Sequence, residues 1–365
     1  MSVYEKLASM DAMMEKEGPG AGIELLRQQG YLSVCLPERW GGRGWEISPA
    51  GMLPMLELLR EIGRGSLAVG RIYEGHVNAL RLIHSFGTAE QKSRWSGDAL
   101  DGCCFGIWNT GRPEEDVKFV KGQDGKIFLE GAKVFASGAE WVDRPIISAK
   151  NFDGGSQLLV IAPAGSGLEF DRTTWDPMGM AGSVSHRLDV TGVEVFTEML
   201  LGQPDCYARQ PWLSGGAMRF AAVQLGGAEA LLEITRQHLR ATGRTDHAYQ
   251  EERVSKMLTD CESGRLWLGG AAERAEAAES EPERLVHYVG MMRSAIEGIC
   301  FRTIQRAHQC VGLQGMLRPH AMERVSRDLM TYLRQPNPDG SLMGAGRYAL
   351  GIAEPLESLW KGKKE

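Results

Sequence analysis

The apolar residues of this chain change period twice, and the order helical, then strand-like, then helical restricts the fold more than any single motif does. From Met1 to about Gly102 they recur at helical spacing, as in Met52, Met55, Leu56, Leu59 and Ile62, with glycine-rich breaks such as Gly41 to Gly44 between segments. From about Cys103 to Gly202 the texture turns to short β-favouring runs at 127–129, 158–162, 188–190 and 193–196. Asp124-Gly125 sits between two such runs, where a tight hairpin needs residues tolerant of positive φ. After Pro211 the helical period returns and predicts long helices from about Ala217 to Ala241 and from Glu283 to Gly312. On the first, Leu225, Ala228, Leu232 and Leu239 line one side, while Phe220, Val223, Leu231 and Ile234 widen the apolar surface beyond one stripe, as expected inside a bundle. A last helix, through Met322, Val325, Leu329 and Tyr332, follows Pro319. The expected fold is mostly α with a central β domain: a helical N-terminal domain (1–102), a small β-barrel-like middle domain (103–202) and a C-terminal four-helix bundle (203–365).

Charge and composition exclude several functions. Lys and Arg (41) are scattered and outnumbered by Asp and Glu (47), which speaks against a nucleic-acid partner. No apolar run reaches the ~18 residues needed to span a bilayer, and the N-terminus lacks the basic start and apolar block of a secretory signal. The seven cysteines are an odd number without CxxC spacing, so neither a disulfide framework nor a zinc knuckle is expected, and a reducing cytoplasm is the simplest location. The dinucleotide, P-loop, serine-hydrolase and zincin signatures are all missing, and the eight histidines are dispersed.

Five ordered segments carry a resemblance. Leu36 to Trp45 (LPERWGGRGW), Phe86 to Trp95 (FGTAEQKSRW), Gly131 to Asp143 (GAKVFASGAEWVD), Met178 to Val195 (MGMAGSVSHRLDVTGVEV), and Gln309 to Gly315 (QCVGLQG) followed by Met322 to Asp328 (MERVSRD) resemble the acyl-CoA dehydrogenase superfamily of flavoproteins. The resemblance implies FAD, with FMN as the alternative, held against the middle domain. Phe105, Ile107, Trp108 and Asn109 would supply strand backbone along the ring; Phe135 and Ala136 would flank it, and the Ser137 hydroxyl would reach its N5 edge. Gln309, Cys310 and Gly312 would hold the far half of the cofactor on a neighbouring subunit of a homodimer or homotetramer. Arg244 either replaces the family's phosphate-binding arginine or is a solvated surface residue. An electron-transfer flavoprotein is the implied redox partner.

The resemblance also implies α,β-dehydrogenation of an acyl thioester, which needs a carboxylate base opposite N5. Its slot is occupied by Pro336, with Gln335 before it, and the alternative stretch Trp212 to Arg219 contains no acid. Asp339, three residues on, is the nearest candidate base, against a plain turn role in Pro-Asp-Gly. Two further readings stay open. One is a flavin monooxygenase, which needs no such base and in which His76 would line the flavin pocket; the other is a non-catalytic flavin- or acyl-binding member. A small-molecule substrate and an oxidoreductase come first.

Overall fold

The computed structural model describes residues 1–163, 167–276, 280–334, 337–353, 355 and 359. Five helices open the chain: α1 (Val3–Glu17), α2 (Gly20–Gln28), α3 (Met52–Gly65), α4 (Leu67–Phe86) and α5 (Ala89–Leu100). Among the described residues nine strands follow: β1 (Phe105–Trp108), β2 (Lys118–Lys121), β3 (Ile127–Glu130), β4 (Ala132–Ala136), β5 (Arg144–Lys150), β6 (Ser156–Val160), β7 (Phe170–Asp171), β8 (His186–Asp189) and β9 (Leu200–Leu201). The chain then returns to helix with α6 (Ala217–Ala241), α7 (Ala248–Ala275), α8 (Pro282–Val311), α9 (Ala321–Tyr332) and α10 (Pro338–Gly351). The mostly helical architecture with a mixed β middle is as expected. None of the helices is long and apolar enough to cross a membrane, among the described residues.

Local chemistry explains where elements begin. The Thr88 hydroxyl accepts the Gln91 backbone N–H at 3.2 Å, and the Gln91 side-chain oxygen accepts the Thr88 N–H at 2.9 Å, a reciprocal cap that starts α5. The same Gln91 amide donates to the carbonyls of Glu198 and Leu200 at 3.0 and 2.8 Å, so this cap also clips α5 to the start of β9. Gly125, at φ 80°, closes the β2–β3 hairpin, in which Lys121 faces Ile127.

The strands form two sheets. One runs β3-β2-β5-β6-β9, with β1 also paired to β5; the other runs β4-β8-β7. Trp108, Leu129, Ala136, Ile147, Leu159 and Leu188 fill the core they share. The run 193–196, expected as a strand, departs from that expectation. It follows β3 through the bonds Leu129 N–H to Val193 O and Val195 N–H to Ile127 O, then turns off into a short 3-10 turn at Thr197–Met199 before a ladder can extend.

Helices from either side of the β region meet where α3 crosses α6. The approach is close because the crossing is lined by glycine: a Cβ on Gly63 would lie 2.3 Å from the Val223 carbonyl oxygen, and one on Gly226 would lie 2.1 Å from that of Arg60. Backbone cannot yield as a side chain can, so any larger residue must push the helices apart. Gly226→Ala is therefore expected to destabilise the protein by about 1–3 kcal/mol, read as a lower denaturation midpoint, although alanine is the better helix former.

Candidate functional site

Strand β4 carries a bulge. Its register against β8 shifts between Lys133 and Ala136, and Phe135 sits at φ 56°, a left-handed conformation that a bulky side chain adopts only under strain. Ala136 pairing with His186 and the Ser137 N–H to Phe135 O bond of 2.8 Å hold it there. The bulge swings the Phe135 ring out of the sheet core to 54% exposure, edge-on to Trp175 with centroids 6.1 Å apart. Trp108, buried behind, donates its indole N–H to Ser137 O at 2.9 Å. Beside it, Ile107, Asn109 and Thr110 continue from β1 into the same cavity wall. Lys133 anchors that edge from below, donating to Asn109 O at 3.3 Å and Ser148 Oγ at 3.1 Å; burial lowers its pKa to about 8.

A chain of three hydroxyls starts at Ser137. Its Oγ lies 2.9 Å from Ser185 Oγ, which lies 2.8 Å from Ser183 Oγ, which donates to Met180 O at 2.8 Å. Each hydroxyl has one proton, and a carbonyl can only accept. Ser183 therefore spends its proton on Met180, Ser185 must donate to Ser183, and Ser137 must donate to Ser185. The Ser137 oxygen is left facing the cavity as a hydrogen-bond acceptor.

Helix α9 holds the far end of that chain. Asp328 Oδ1 accepts the Met180 N–H at 2.5 Å, and Arg327 donates to Met178 O and to Glu15, both at 2.7 Å. Gly179 lies so close that a Cβ there would come within 2.2 Å of Arg327 O. Burial, reinforced by the nearby Asp11 carboxylate, pushes the Asp328 pKa up to about 7.

The opposite wall of the cavity, which holds about 860 Å³, is helical. From α4 it receives Arg71, Glu74, Gly75 and Asn78, a spacing that places all four on one face. Arg71 is ion-paired with Glu74, and the Asn78 amide donates to Tyr207 Oη at 3.2 Å. Arg219 on α6 is buried and ion-paired with Glu46, which Arg81 also approaches at 3.6 Å. Tyr332 ends α9, Asn337 precedes α10, and Gly340, Ser341 and Gly344 enter from that helix.

The expected site residues fall into three groups. Ile107, Asn109, Phe135 and Ser137 meet on the cavity wall; Phe105, Trp108 and Ala136 are buried behind it. Gln309, Cys310 and Gly312 lie at the end of α8, and Arg244 lies close enough to the Cys310 thiol to act on its charge; none of the four lines the cavity. The two candidate catalytic residues also lie off the wall. His76 is buried one position beyond the cavity face of α4, its Nδ1 accepting the Phe105 N–H at 3.0 Å and its Nε2–H donating to Leu32 O at 2.8 Å. Both ring nitrogens are taken by backbone, and burial lowers its pKa to about 4. Asp339 is exposed in the first turn of α10, between the positions that face inward, where its charge complements the helix dipole. Gln335 and Pro336 lie outside the described residues. Sequence reasoning missed Arg71, Glu74, Tyr332, Ser183 and Ser185; the i, i+3, i+7 polar spacing of Arg71, Glu74 and Asn78 on one helix was the available signal.

Residues 3–102 match the model of the acyl-CoA dehydrogenase N-terminal domain, and residues 207–333 that of the acyl-CoA dehydrogenase C-terminal domain. This chain belongs to the acyl-CoA dehydrogenase superfamily. Within that superfamily it is similar to a dibenzothiophene monooxygenase of Mycolicibacterium goodii, 24% identical over 91% of this chain and 88% of the relative. The crystal structure of FMN-bound TdsC from Paenibacillus sp. A11-2 superimposes with a TM-score of 0.86 at 20% identity, covering 98% of both chains. Methanesulfinate monooxygenase MsuC from Pseudomonas fluorescens does so at 0.81 and 20%, over 98% of this chain and 97% of that one. These findings correct the expectation of an FAD-dependent acyl-CoA dehydrogenase acting on CH–CH groups. The three superfamily members just named are monooxygenases, and one of them is solved with FMN. The outward-facing Asp339 removes the one base that the sequence offered for that chemistry.

Asp328 gives the fold a pH signature. Its pKa rises from the ordinary 3.8 to about 7 on folding, so its contribution to stability is complete below pH 4 and is lost as pH rises through 7. His76 acts in the opposite sense, its contribution being present above pH 6.5 and lost as pH falls towards 4. In denaturation series from pH 5 to 8, Asp328→Asn, which keeps the oxygen that accepts the Met180 N–H, should remove a downward slope of at most about 1.4 kcal/mol per pH unit.

Proposed function

We propose that this protein is a flavin-dependent monooxygenase that takes up reduced FMN against the β wall of the cavity and oxygenates a small organic substrate held on the helical wall. The observation that carries this reading is the polarity of the serine chain. Reduced flavin has an N–H at N5, whereas oxidised flavin has a bare nitrogen there. A Ser137 oxygen committed as an acceptor complements the reduced form and leaves the oxidised form without a donor. The exposed Phe135 ring and Ile107 offer flat apolar surface for the flavin, with Asn109 and Thr110 at its polar edge.

When bound, reduced FMN supplies the two electrons that activate dioxygen for transfer of one atom to substrate and release of the other as water. The chain's part is to orient and to protect. Trp175, Met180, Leu213 and Phe220 give the cavity apolar walls that limit water, and no proton abstraction from carbon is needed. The one carboxylate among the described lining residues, Glu74, is engaged by Arg71. FMN is favoured over FAD by the FMN complex of the similar Paenibacillus enzyme. The name of another relative, a probable FMNH2-dependent monooxygenase of Pseudomonas putida, agrees with delivery in the reduced state. A flavin reductase is then the implied partner.

We further propose a homo-oligomer. Leu313, Met316 and Leu317 expose 55–71% of their surface beside Gly312, an apolar patch that a second copy of the chain would cover. Light scattering should return a multiple of the monomer mass, with Leu313→Asp shifting it towards the monomer.

Anaerobic protein loaded with reduced FMN and mixed rapidly with dioxygen should show a transient absorbance band distinct from both reduced and oxidised flavin. Reoxidation in one step without such a band would overturn the reading. Ser137→Ala should weaken binding of reduced FMN by roughly 3–10-fold, the loss of one hydrogen bond, and leave oxidised FMN nearly unaffected.

A further inference from the structure

The helical wall carries polar groups that a flavin on the β wall does not explain, and several lack partners. The Tyr332 hydroxyl is buried with no hydrogen-bond partner, as is Arg219 Nε, and both residues line the cavity at least nine-tenths buried. Asn78 Oδ1 is a third orphan; turning that amide over lets its oxygen accept from Tyr207 Oη and leaves its NH2 facing the space. Buried polar groups of native proteins find partners, so three orphans on one wall mark a place where a ligand's atoms belong.

Charge says which ligand. Four of the described lining residues are arginines, Arg71, Arg219, Arg293 and Arg334, against the single carboxylate of Glu74. The Glu46 carboxylate behind Arg219 is itself shared between Arg219 and Arg81. Burial and the Glu74 carboxylate keep the Tyr332 phenol protonated, so it can only donate towards an anion. An ammonium ligand would meet guanidinium groups, and a wholly apolar one would leave the orphans unpaired. Leu213, Phe220 and Trp175, on the same cavity, offer an apolar surface for the rest of such a molecule.

We propose that the helical wall recognises the anionic oxygen head of an organic acid, a carboxylate or sulfinate, through Tyr332, Arg71 and Arg219. This deepens the monooxygenase reading, on which it rests for the placing of flavin on the β wall. The head group presents its two oxygens to guanidinium forks and one phenol, while its organic body lies towards Ser137.

The test is a titration of the full-length protein loaded with oxidised FMN, following the flavin spectrum, so that no turnover is required. Benzoate and benzenesulfinate are the anionic probes; benzamide and methyl phenyl sulfone are their neutral counterparts. At least one anion should bind ~10-fold or more tightly than its neutral counterpart. Tyr332→Phe should weaken the anion several-fold and leave the neutral probe unchanged. Glu74→Gln, which frees Arg71 and removes the competing charge, should strengthen it. Equal or tighter binding of both neutral probes overturns the proposal, as does displacement of FMN by the anions, which would make the wall a phosphate site. Indifference to both substitutions overturns it too. Tryptophan fluorescence of the FMN-free protein, with Trp175 on the cavity, repeats the comparison. If anions bind while rapid mixing with dioxygen yields no transient band, the monooxygenase reading fails and the oxyanion site stands.

Discussion

Two residues of one helix, Arg327 and Asp328, hold the segment Met178–Met180 by its backbone, and the geometry of the cavity follows from that grip. Asp328 takes the Met180 N–H, Arg327 takes the Met178 carbonyl, and Gly179 allows the backbones to touch. The Met180 carbonyl is thereby presented to Ser183, which gives the three-serine chain its direction. Helix α9 thus sets the hydrogen-bond role of Ser137 through the serine chain. Such control is strong because a hydroxyl with one proton cannot donate twice.

The cavity is a meeting of two unlike surfaces. Its β wall is made of strained and exposed elements, the left-handed Phe135 and the bulge that carries it, arranged to display an aromatic face and one acceptor. Its helical wall is made of unstrained helix faces that bring buried charge. Buried guanidinium groups are costly unless paired, and here two buried pairs, Arg71 with Glu74 and Arg219 with Glu46, sit beside polar atoms that remain unpaired. That expense is hard to explain as scaffold and simple to explain as recognition.

The sequence reading reached the β wall and missed the helical one, for a reason visible in individual residues. Ile107, Asn109, Phe135 and Ser137 were accessible because they lie in short stretches whose local pattern resembles a known family. Asp339 was the acid nearest the base slot and His76 was placed by the resemblance; helix geometry keeps both off the cavity wall. On α10 the inward positions are 340, 341 and 344, so an acid at 339 points out; on α4 they are 71, 74, 75 and 78, so a histidine at 76 turns into the core. A single step along a helix rotates a side chain by ~100°, enough to exchange site for core.

What the sequence determined by itself was the order of helical and strand-like regions, the caps and turns, and the superfamily, because these rest on periodicity and on residues within a few positions of one another. Tertiary structure alone decided the direction of the serine chain, the pairing of Glu46 with Arg219 across 173 positions and the bond between Met180 and Asp328 across 148. Contacts of that span have no period to read. They exist only once the packing of α3, α4, α6 and α9 brings the groups within hydrogen-bonding distance, and the chemistry of the site lies in them.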